Sequence, residues 1–405
     1  MKIAHVITRL IVGGAQENTI ATCCGLRQRG HEVELVIGPQ TGPEGSLILS
    51  ARAAGVPILL VNELCREPNP WQDLRACAAL ARQFRARRYD IVHTHSGKAG
   101  FVGRLAAKLA GVPVIVHTIH GPSFHPCQNP VGNWLFRWAE QAAAEWTTQF
   151  VSVADAMTGQ YLAAGIGRPN QYTTIHSGMD VGAFERAIPV TLPGELPGRQ
   201  PLYPPEAAVA VPAANPVVGM IARLFRLKGH EFLFAAAPAI IAAVPQVKFL
   251  LVGDGIYRQR YERLAEEMGL GNRFVFAGLV PPVDVPRYVA RMDLLVHLSL
   301  REGLPRALPQ ALAAGKPVVA FDVDGAGEVC RDGETGFLIR PGDTPALAAA
   351  VIRLLRDKAL AARMGEQGRE RVREQFTEER MVQQIEQLYR ELPCTGYWST
   401  STCSM

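Results

Sequence analysis

SLREGLPRALPQALAAGKPVV, residues 299–319, contains a strand end, a tight acidic loop, a helix and the opening of a second strand. Leu294, Leu295, Val296 and Leu298 form a short apolar run of strand type just before it. Glu302-Gly303-Leu304-Pro305 interrupts that run. Glycine at 303 lets the backbone come close to a ligand, and Pro305 suits a first helical position, where its missing N–H is no loss. The spacing predicts a helix over 305–314, stopped by Gly315, with Pro317-Val318-Val319 starting the next strand. An anion suits that helix start, because free N–H groups and the positive dipole end converge there. Glu302 and Gln310 are separated by roughly 12 Å of helix rise. One could hold a sugar and the other a ribose, with a diphosphate between them. On pattern alone a solvated loop glutamate and a surface glutamine explain the pair equally well.

Outward from this stretch, strand and helix patterns alternate. Residues 3–8 read as an apolar strand, Gly13-Gly14 as a turn, 15–29 as a helix stopped by Gly30, and 32–37 as a second strand. Such a βαβ unit builds a parallel sheet by its handedness. Further strands are predicted near 56–61, 91–94, 114–118, 150–153 and 172–175, with helices near 45–54, 72–87, 98–110 and 133–146. Residues 186–216 carry eight prolines with little periodicity, which marks a linker or surface excursion. The alternation restarts with strands at 217–222, 248–252, 274–277 and 294–298 and helices at 229–243, 257–268 and 284–291. From Thr344 the chain reads as helical, with Asp343 or Thr344 capping and Pro345 at the first position, and 364–392 as one or two amphipathic helices. Residues 393–405 carry no pattern and read as a mobile tail. The expected fold class is α/β, with two Rossmann-like doubly wound parallel-sheet domains at 1–185 and 217–375. Their ligands should bind beyond the carboxyl ends of the strands.

Composition narrows the function classes. At 405 residues the chain has room for two domains, and 48% apolar with 20% charged residues is ordinary for a globular protein. A net charge of +5 suits an anionic substrate or an anionic membrane surface, but is too small to argue for nucleic acid. Eight scattered cysteines without a CxxC pair point to reduced thiols in a cytosolic compartment. In the opening MKIAHVITRL, His5 and Arg9 break the apolar run and no small-residue cleavage site follows, so it reads as a buried strand. No run reaches the roughly 18 apolar residues of a membrane span.

Several constellations could carry chemistry. In GMIARLFRLKGH, residues 219–230, Arg223 and Lys228 flank a strand-to-helix joint. Two cations there would face a diphosphate, arginine bidentately and lysine as a point charge, although two surface cations read the same way. Gly13-Gly14 would let the backbone approach a phosphate or an acceptor. No G-x-G-x-x-G follows there or at Gly253-Asp254-Gly255, which disfavours a nicotinamide-dependent enzyme. His93, His95, His117, His120 and His125 crowd the first domain, but strand histidines two apart without a local cysteine make a poor zinc set, and no metal site is expected. Trp134, Leu135, Phe136 and Trp138 read as helix core, or alternatively as an acceptor or lipid surface. Arg82, Arg85, Arg87 and Arg88 could touch anionic headgroups or form a solvated face.

Residues 299–319 resemble the donor-binding motif of retaining glycosyltransferases with the GT-B fold, the family 4 or group 1 class. That motif has Glu, seven residues, Glu, a small-residue helix and a GxPVV strand. Glu302 matches the first acid, while Gln310 stands where the family has its second. An amide still bonds ribose hydroxyls, without the charge-assisted strength of a carboxylate. Arg223 and Lys228 match the family's cations, Gly253-Asp254-Gly255 its GDG turn beside the base, and His120 in HTIHGP its active-site histidine. Glu328 after Gly327 fits the family's segment following a DVGG-type turn, where Asp322-Val323-Asp324 spells the manganese-binding DxD of another glycosyltransferase fold by coincidence.

The resemblance spans most of the chain. It implies two domains facing across a cleft, with a helix at about 376–392 crossing back to the first domain and closure about the 180–216 joint. It implies transfer of a sugar from a UDP- or GDP-linked donor to a glycan or lipid-linked acceptor, with no metal or other cofactor, in polysaccharide or cell-envelope glycan synthesis. The location implied is the cytoplasm, open to peripheral contact with an anionic inner membrane face. His120, Glu302, Arg223 and Lys228 would be catalytic. Gly13, Gly14, Gly253, Asp254, Gly303, Leu304, Gln310 and Glu328 would bind the donor. The family's route is same-face attack, in which the departing phosphate helps deprotonate the acceptor. The alternatives are a nucleotide-sugar epimerase of the same layout, and a non-catalytic sugar-nucleotide-binding protein, for which Gln310 speaks.

Overall fold

The computed structural model describes residues 1–41, 45–67, 69–125, 128–192 and 215–392. Most of the expected linker (193–214) and the expected tail (393–405) lie outside these residues. The chain divides into two compact units, Met1–Gly178 together with the residues from Glu378 on, and Met179–Thr377.

The first unit runs β1 (Lys2–Ile7), α1 (Gly14–Gln28), β2 (Glu32–Ile37), α2 (Ile48–Ala53), β3 (Ile58–Leu60), α3 (Pro70–Arg87), β4 (Ile91–His95), α4 (Gly97–Ala110), β5 (Val114–Ile119), α5 (Pro130–Ala144), β6 (Gln149–Ser152), α6 (Asp155–Ala163) and β7 (Tyr172–Thr174). The second runs α7 (Val181–Glu185), β8 (Val217–Ile221), α8 (His230–Ala243), β9 (Lys248–Val252), α9 (Arg258–Glu267), β10 (Phe274–Gly278), α10 (Val285–Arg291), β11 (Leu294–His297), α11 (Ala307–Ala313), β12 (Val318–Phe321), α12 (Ala326–Val329), β13 (Gly336–Ile339), α13 (Thr344–Arg356) and α14 (Lys358–Gln375). The last helix, α15 (Glu378–Glu391), returns to the first unit.

Both sheets are parallel, in the orders β3-β2-β1-β4-β5-β6-β7 and β10-β9-β8-β11-β12-β13. Local chemistry sets the helix starts. Asn69 accepts the Gln72 N–H at 3.2 Å ahead of Pro70, and Asn129 accepts the Gly132 N–H at 2.8 Å ahead of Pro130. In the first unit, strand residues of one parity (Ile3, Val33, Ile91, Val114) pack with Leu26 of α1 and Met381 and Ile385 of α15. Those of the other parity (Ala4, Val36, Val92, Ile115) pack with Leu80 and Phe84 of α3 and Ala106 of α4. Both faces are thus covered, as a parallel sheet requires.

Some elements differ from expectation. The helix expected over 305–314 is confined to Ala307–Ala313, because Pro305 stays in the loop and its carbonyl takes the Leu308 N–H at 3.1 Å. α14 begins at Lys358, six residues before the expected 364, because Asp357 caps it by accepting the Leu360 N–H at 2.8 Å. The first unit ends at Gly178 rather than 185, since α7 packs on α10 and α11 and the Met179 N–H donates to the Phe376 carbonyl at 2.9 Å.

A buried ion pair ties α4 to α5. Arg104, 0% exposed, donates from Nη2 to Glu140 Oε2 at 2.6 Å, from Nη1 to Thr147 Oγ1 at 3.3 Å, and from Nε to the Gly100 carbonyl at 2.8 Å. Ser123 Oγ donates to the second Glu140 oxygen at 3.1 Å. Glu140→Ala would strand the guanidinium without a counter-charge, so it should destabilise the chain by about 3–5 kcal/mol in urea unfolding. Glu140→Gln, which keeps a carbonyl acceptor, should lose less. Equal losses would show that charge compensation is not what holds this joint.

Candidate active site

In an open parallel sheet, ligands gather beyond the carboxyl ends of the strands where the strand order reverses. In the second unit the order reverses between β8 and β11. β8 leads into Arg223 and Lys228, and β11 into Glu302. Lys228 Nζ donates to Glu302 Oε1 at 2.5 Å, and Nε2 of His297, at the end of β11, lies 3.4 Å from the same oxygen. The Lys228 and Glu302 side chains are 22% and 18% exposed. Burial disfavours the Glu302 carboxylate, but the Lys228 ammonium and His297 outweigh it and hold the carboxyl well below the usual range.

The loop around this pair is tied down at several points. The Glu302 N–H donates to Asp324 Oδ2 at 2.6 Å, so the second acid of the DxD triplet pins the backbone of the loop glutamate. The Gly303 carbonyl accepts the Gly325 N–H at 3.1 Å, and Leu304 is buried. Gly229 has φ +79, and a Cβ there would lie 1.9 Å from the Leu298 carbonyl oxygen. Only glycine therefore allows the residue after Lys228 to come so near the strand that leads to Glu302.

The remaining expected residues of this unit lie on the segments that follow β8, β9, β11 and β12. Arg223 is exposed, lies over the Phe225 ring at 5.1 Å, and makes no ion pair among the described residues. Asp254, between Gly253 and Gly255, accepts the Gly255 N–H at 2.7 Å and pairs with Arg258 at 3.2 Å. Its carbonyl accepts the Leu224 N–H at 3.0 Å, which ties the turn to the segment carrying Arg223. Gln310 is half-buried on α11, and its amide makes no hydrogen bond among the described residues. Glu328 lies on the short α12, where its carbonyl accepts from Arg371 at 2.8 Å. Sequence reasoning missed three buried groups in these segments. His297 contacts the carboxylate, while the Ser299 hydroxyl and both nitrogens of His230 are buried without a hydrogen-bond partner among the described residues. Burial and nearby Lys228 push the His230 imidazole down to about 4. Nothing in strand periodicity distinguishes such groups from ordinary core.

In the first unit the order reverses between β1 and β4. Gly13 caps α1 with φ 175, an extended backbone any residue adopts, and Gly14 is the first helical residue. His120 directly follows β5, and its Nε2 lies 3.1 Å from His95 Nδ1. Among the described residues, His5, His93 and His95 form a group whose nitrogens are close enough to hold a metal ion. Each of those nitrogens already has a protein hydrogen-bond partner: His5 meets His95 and Tyr389, His93 meets Tyr389 and Thr118, and His95 also meets His120.

The aromatic stretch on α5 is not helix core. Trp134, Phe136 and Trp138 are 65%, 41% and 53% exposed, which overturns the core reading and leaves an apolar outer face. Of the α3 arginines, Arg85 donates to the Leu109 carbonyl and Arg87 pairs with Glu34, so both are engaged within the unit. No described helix is long and apolar enough to cross a membrane.

Two family models match the chain. Glycosyl transferase 4-like domain covers residues 13–178, and Glycosyl transferases group 1 covers residues 206–371. The chain is 30% identical over 333 residues to a putative glycosyltransferase, EpsD, of Bacillus subtilis, covering 80% of this chain and 82% of that one. It is 28% identical over 396 residues to the UDP-Gal:alpha-D-GlcNAc-diphosphoundecaprenol alpha-1,3-galactosyltransferase of Escherichia coli, covering 97% of both. Its fold matches Anabaena HepE, solved with UDP-glucose, at TM-score 0.78 and 24% identity over 97% of this chain and 100% of that one. It matches sucrose-phosphate synthase from Thermosynechococcus elongatus at TM-score 0.78 and 23% identity, over 97% and 99%. With two parallel α/β units built in this way, the chain belongs to the group 1, family 4 glycosyltransferases and has their GT-B fold.

Proposed function

We propose that the protein transfers a sugar, with retention at the anomeric carbon and without a metal, from a nucleotide diphosphate-sugar to a glycan or lipid-linked acceptor in cell-envelope glycan synthesis. The carrying observation is the Lys228–Glu302 pair at the switch point of the second sheet. An ionised carboxylate only accepts hydrogen bonds, and lysine engages one of its oxygens, so the rest of its capacity suits sugar hydroxyls. Lys228 has three donors, and those not given to Glu302 suit a phosphate, as does the exposed Arg223. The Escherichia coli relative's UDP-galactose donor and diphosphoundecaprenol-linked acceptor support a UDP donor and a lipid-linked acceptor. The exposed aromatic face of α5 supports contact with a membrane surface.

In the reaction, the bond between the anomeric carbon and the phosphate oxygen breaks with its electron pair passing to that oxygen. The acceptor oxygen bonds to the carbon on the same face and gives its proton to the departing phosphate. Lys228 and Arg223 stabilise the charge growing on the diphosphate. Glu302 orients the sugar hydroxyls, His120 contacts the sugar near the reacting carbon, and Gln310 holds the ribose. Gly13, Gly14, Gly253, Asp254, Gly303, Leu304 and Glu328 complete the donor contacts.

Incubation with a panel of UDP- and GDP-sugars should release nucleoside diphosphate faster when a lipid diphosphate-sugar acceptor is added. An epimerised donor would assign the protein to isomerisation, and a thermal shift without turnover would assign it to binding alone. A donor held at 100 times its Kd should add about 2.7 kcal/mol of apparent stability.

Glu302→Ala should lower kcat by about 10²–10³-fold with the fold retained, and full activity in this variant would show that the motif is misassigned. Gln310→Glu should preserve or tighten donor binding in the same melting assay.

Because the Glu302 pKa is depressed, its charge persists as pH falls and is lost only in strong acid, so wild-type donor affinity should not follow this carboxyl between pH 8 and 5. In Lys228→Ala the opposing burial raises that pKa, and donor affinity, measured by calorimetry, should weaken as pH falls through the same range. A flat profile in the variant would remove the pair from donor binding.

A further inference from the structure

The histidines of the first unit form a connected line. His5, His93 and Thr118 project from β1, β4 and β5 on the face covered by α1 and α15, and Tyr389 of α15 reaches into them. His93 Nε2 lies 2.6 Å from Thr118 Oγ1, and His93 Nδ1 lies 2.5 Å from the Tyr389 hydroxyl. That hydroxyl lies 3.4 Å from His5 Nε2, His5 Nδ1 lies 2.9 Å from His95 Nε2, and His95 Nδ1 lies 3.1 Å from His120 Nε2. The line ends at the histidine just beyond the carboxyl edge of β5.

His5, His93, His95 and Tyr389 are at most 1% exposed. Burial pushes the His5 imidazole down to about 3, and burial with the neighbouring imidazoles pushes those of His93 and His95 well below their ordinary value. The three buried rings are therefore neutral, each with one N–H donor and one bare nitrogen acceptor. Five successive hydrogen bonds then restrict the protons severely. If Thr118 donates to His93, then His93 donates from Nδ1 to Tyr389, Tyr389 to His5 Nε2, His5 from Nδ1 to His95 Nε2, and His95 from Nδ1 to His120 Nε2. The three buried histidines then carry their proton on Nδ1, as does a neutral His120. In the reverse direction all four carry it on Nε2. A mixed set leaves two bare nitrogens facing each other, two N–H groups colliding, the buried Tyr389 O–H without an acceptor, or one nitrogen beside that hydroxyl without a donor, each costing about 1–3 kcal/mol.

We propose that Thr118, His93, Tyr389, His5 and His95 act as one relay that decides which nitrogen of His120 carries its proton, with His95 and Tyr389 as positioning residues. A ring nitrogen can donate to a sugar oxygen or accept from a hydroxyl according to its tautomer, so the relay sets what His120 offers. That use of His120 rests on the function proposed above, whereas the coupling of the rings does not.

The full chain labelled with ¹⁵N-histidine, with long-range ¹H–¹⁵N spectra recorded at pH 7, tests the coupling directly. His5, His93 and His95 should all show the same neutral tautomer, with the neutral form of His120 matching them, and a mixed set overturns the relay whatever the enzyme transfers. Tyr389→Phe should keep the ring packing, cut the line in the middle, and turn the single tautomer at His120 into signals of both. His117 should stay unchanged, because it faces the other side of the sheet and bonds Thr94 at 2.9 Å. A single unaltered tautomer at His120 in a folded Tyr389→Phe protein also overturns the relay. The wild-type spectrum alone decides the matter if that variant does not fold. Equimolar Zn²⁺ should leave the wild-type signals in place, and a zinc-induced shift at His5, His93 and His95 would make the cluster a metal site instead. A uniform tautomer set in a protein inactive on every nucleotide sugar would sink the transferase reading and leave the relay standing.

Discussion

A carboxylate held largely out of water needs a nearby counter-charge, because burial alone would favour its neutral form. The Lys228–Glu302 pair meets that need in the second unit. It exists because β8 and β11 are neighbours in a parallel sheet, so the segments leaving their carboxyl ends emerge side by side. Gly229 lets one of these segments approach the other's strand, and Asp324 holds the loop glutamate by its backbone N–H. The result is an ionised acceptor and a lysine with donors to spare, at the place where doubly wound sheets collect their ligands.

The first unit uses a different device at its own switch point. Its strands bury three imidazoles on one face, and burial denies them charge. Hydrogen bonds to each other, to Thr118, to Tyr389 and to His120 satisfy every nitrogen of the three. Polar groups in a dry interior are tolerated when the network closes, and a closed network is rigid. One unit thus holds a fixed charge, and the other a line of neutral groups whose protons must agree.

Much of the architecture was legible as period. Apolar runs separated by helical patterns and glycine stops mark β1, β2, β4, β5, β8, β9 and β11 nearly to the residue, because a strand buried on both faces is largely apolar. Elements without that contrast were missed. α6 carries a glycine in mid-helix and little apolar periodicity, and the four residues of β13 follow an irregular turn. Trp134 and its neighbours were read chiefly as core, yet they face outward, since composition names a helix but not the side on which it is covered. The α11 helix starts two residues late for a local reason, a proline turn that competes with the first helical bond.

By itself the sequence determined the fold class and the family motif, and it singled out Glu302, Lys228, Arg223 and His120 as candidates, because spacing along a strand or helix is a local property that side-chain type records. Only the tertiary structure decided that Lys228 and Glu302 touch, that Asp324 anchors the loop, and that His5 on β1 and Tyr389 on α15 join a line ending at His120. Those contacts depend on strand order and register, which bring together residues separated by as many as 384 positions. No local pattern encodes such a meeting.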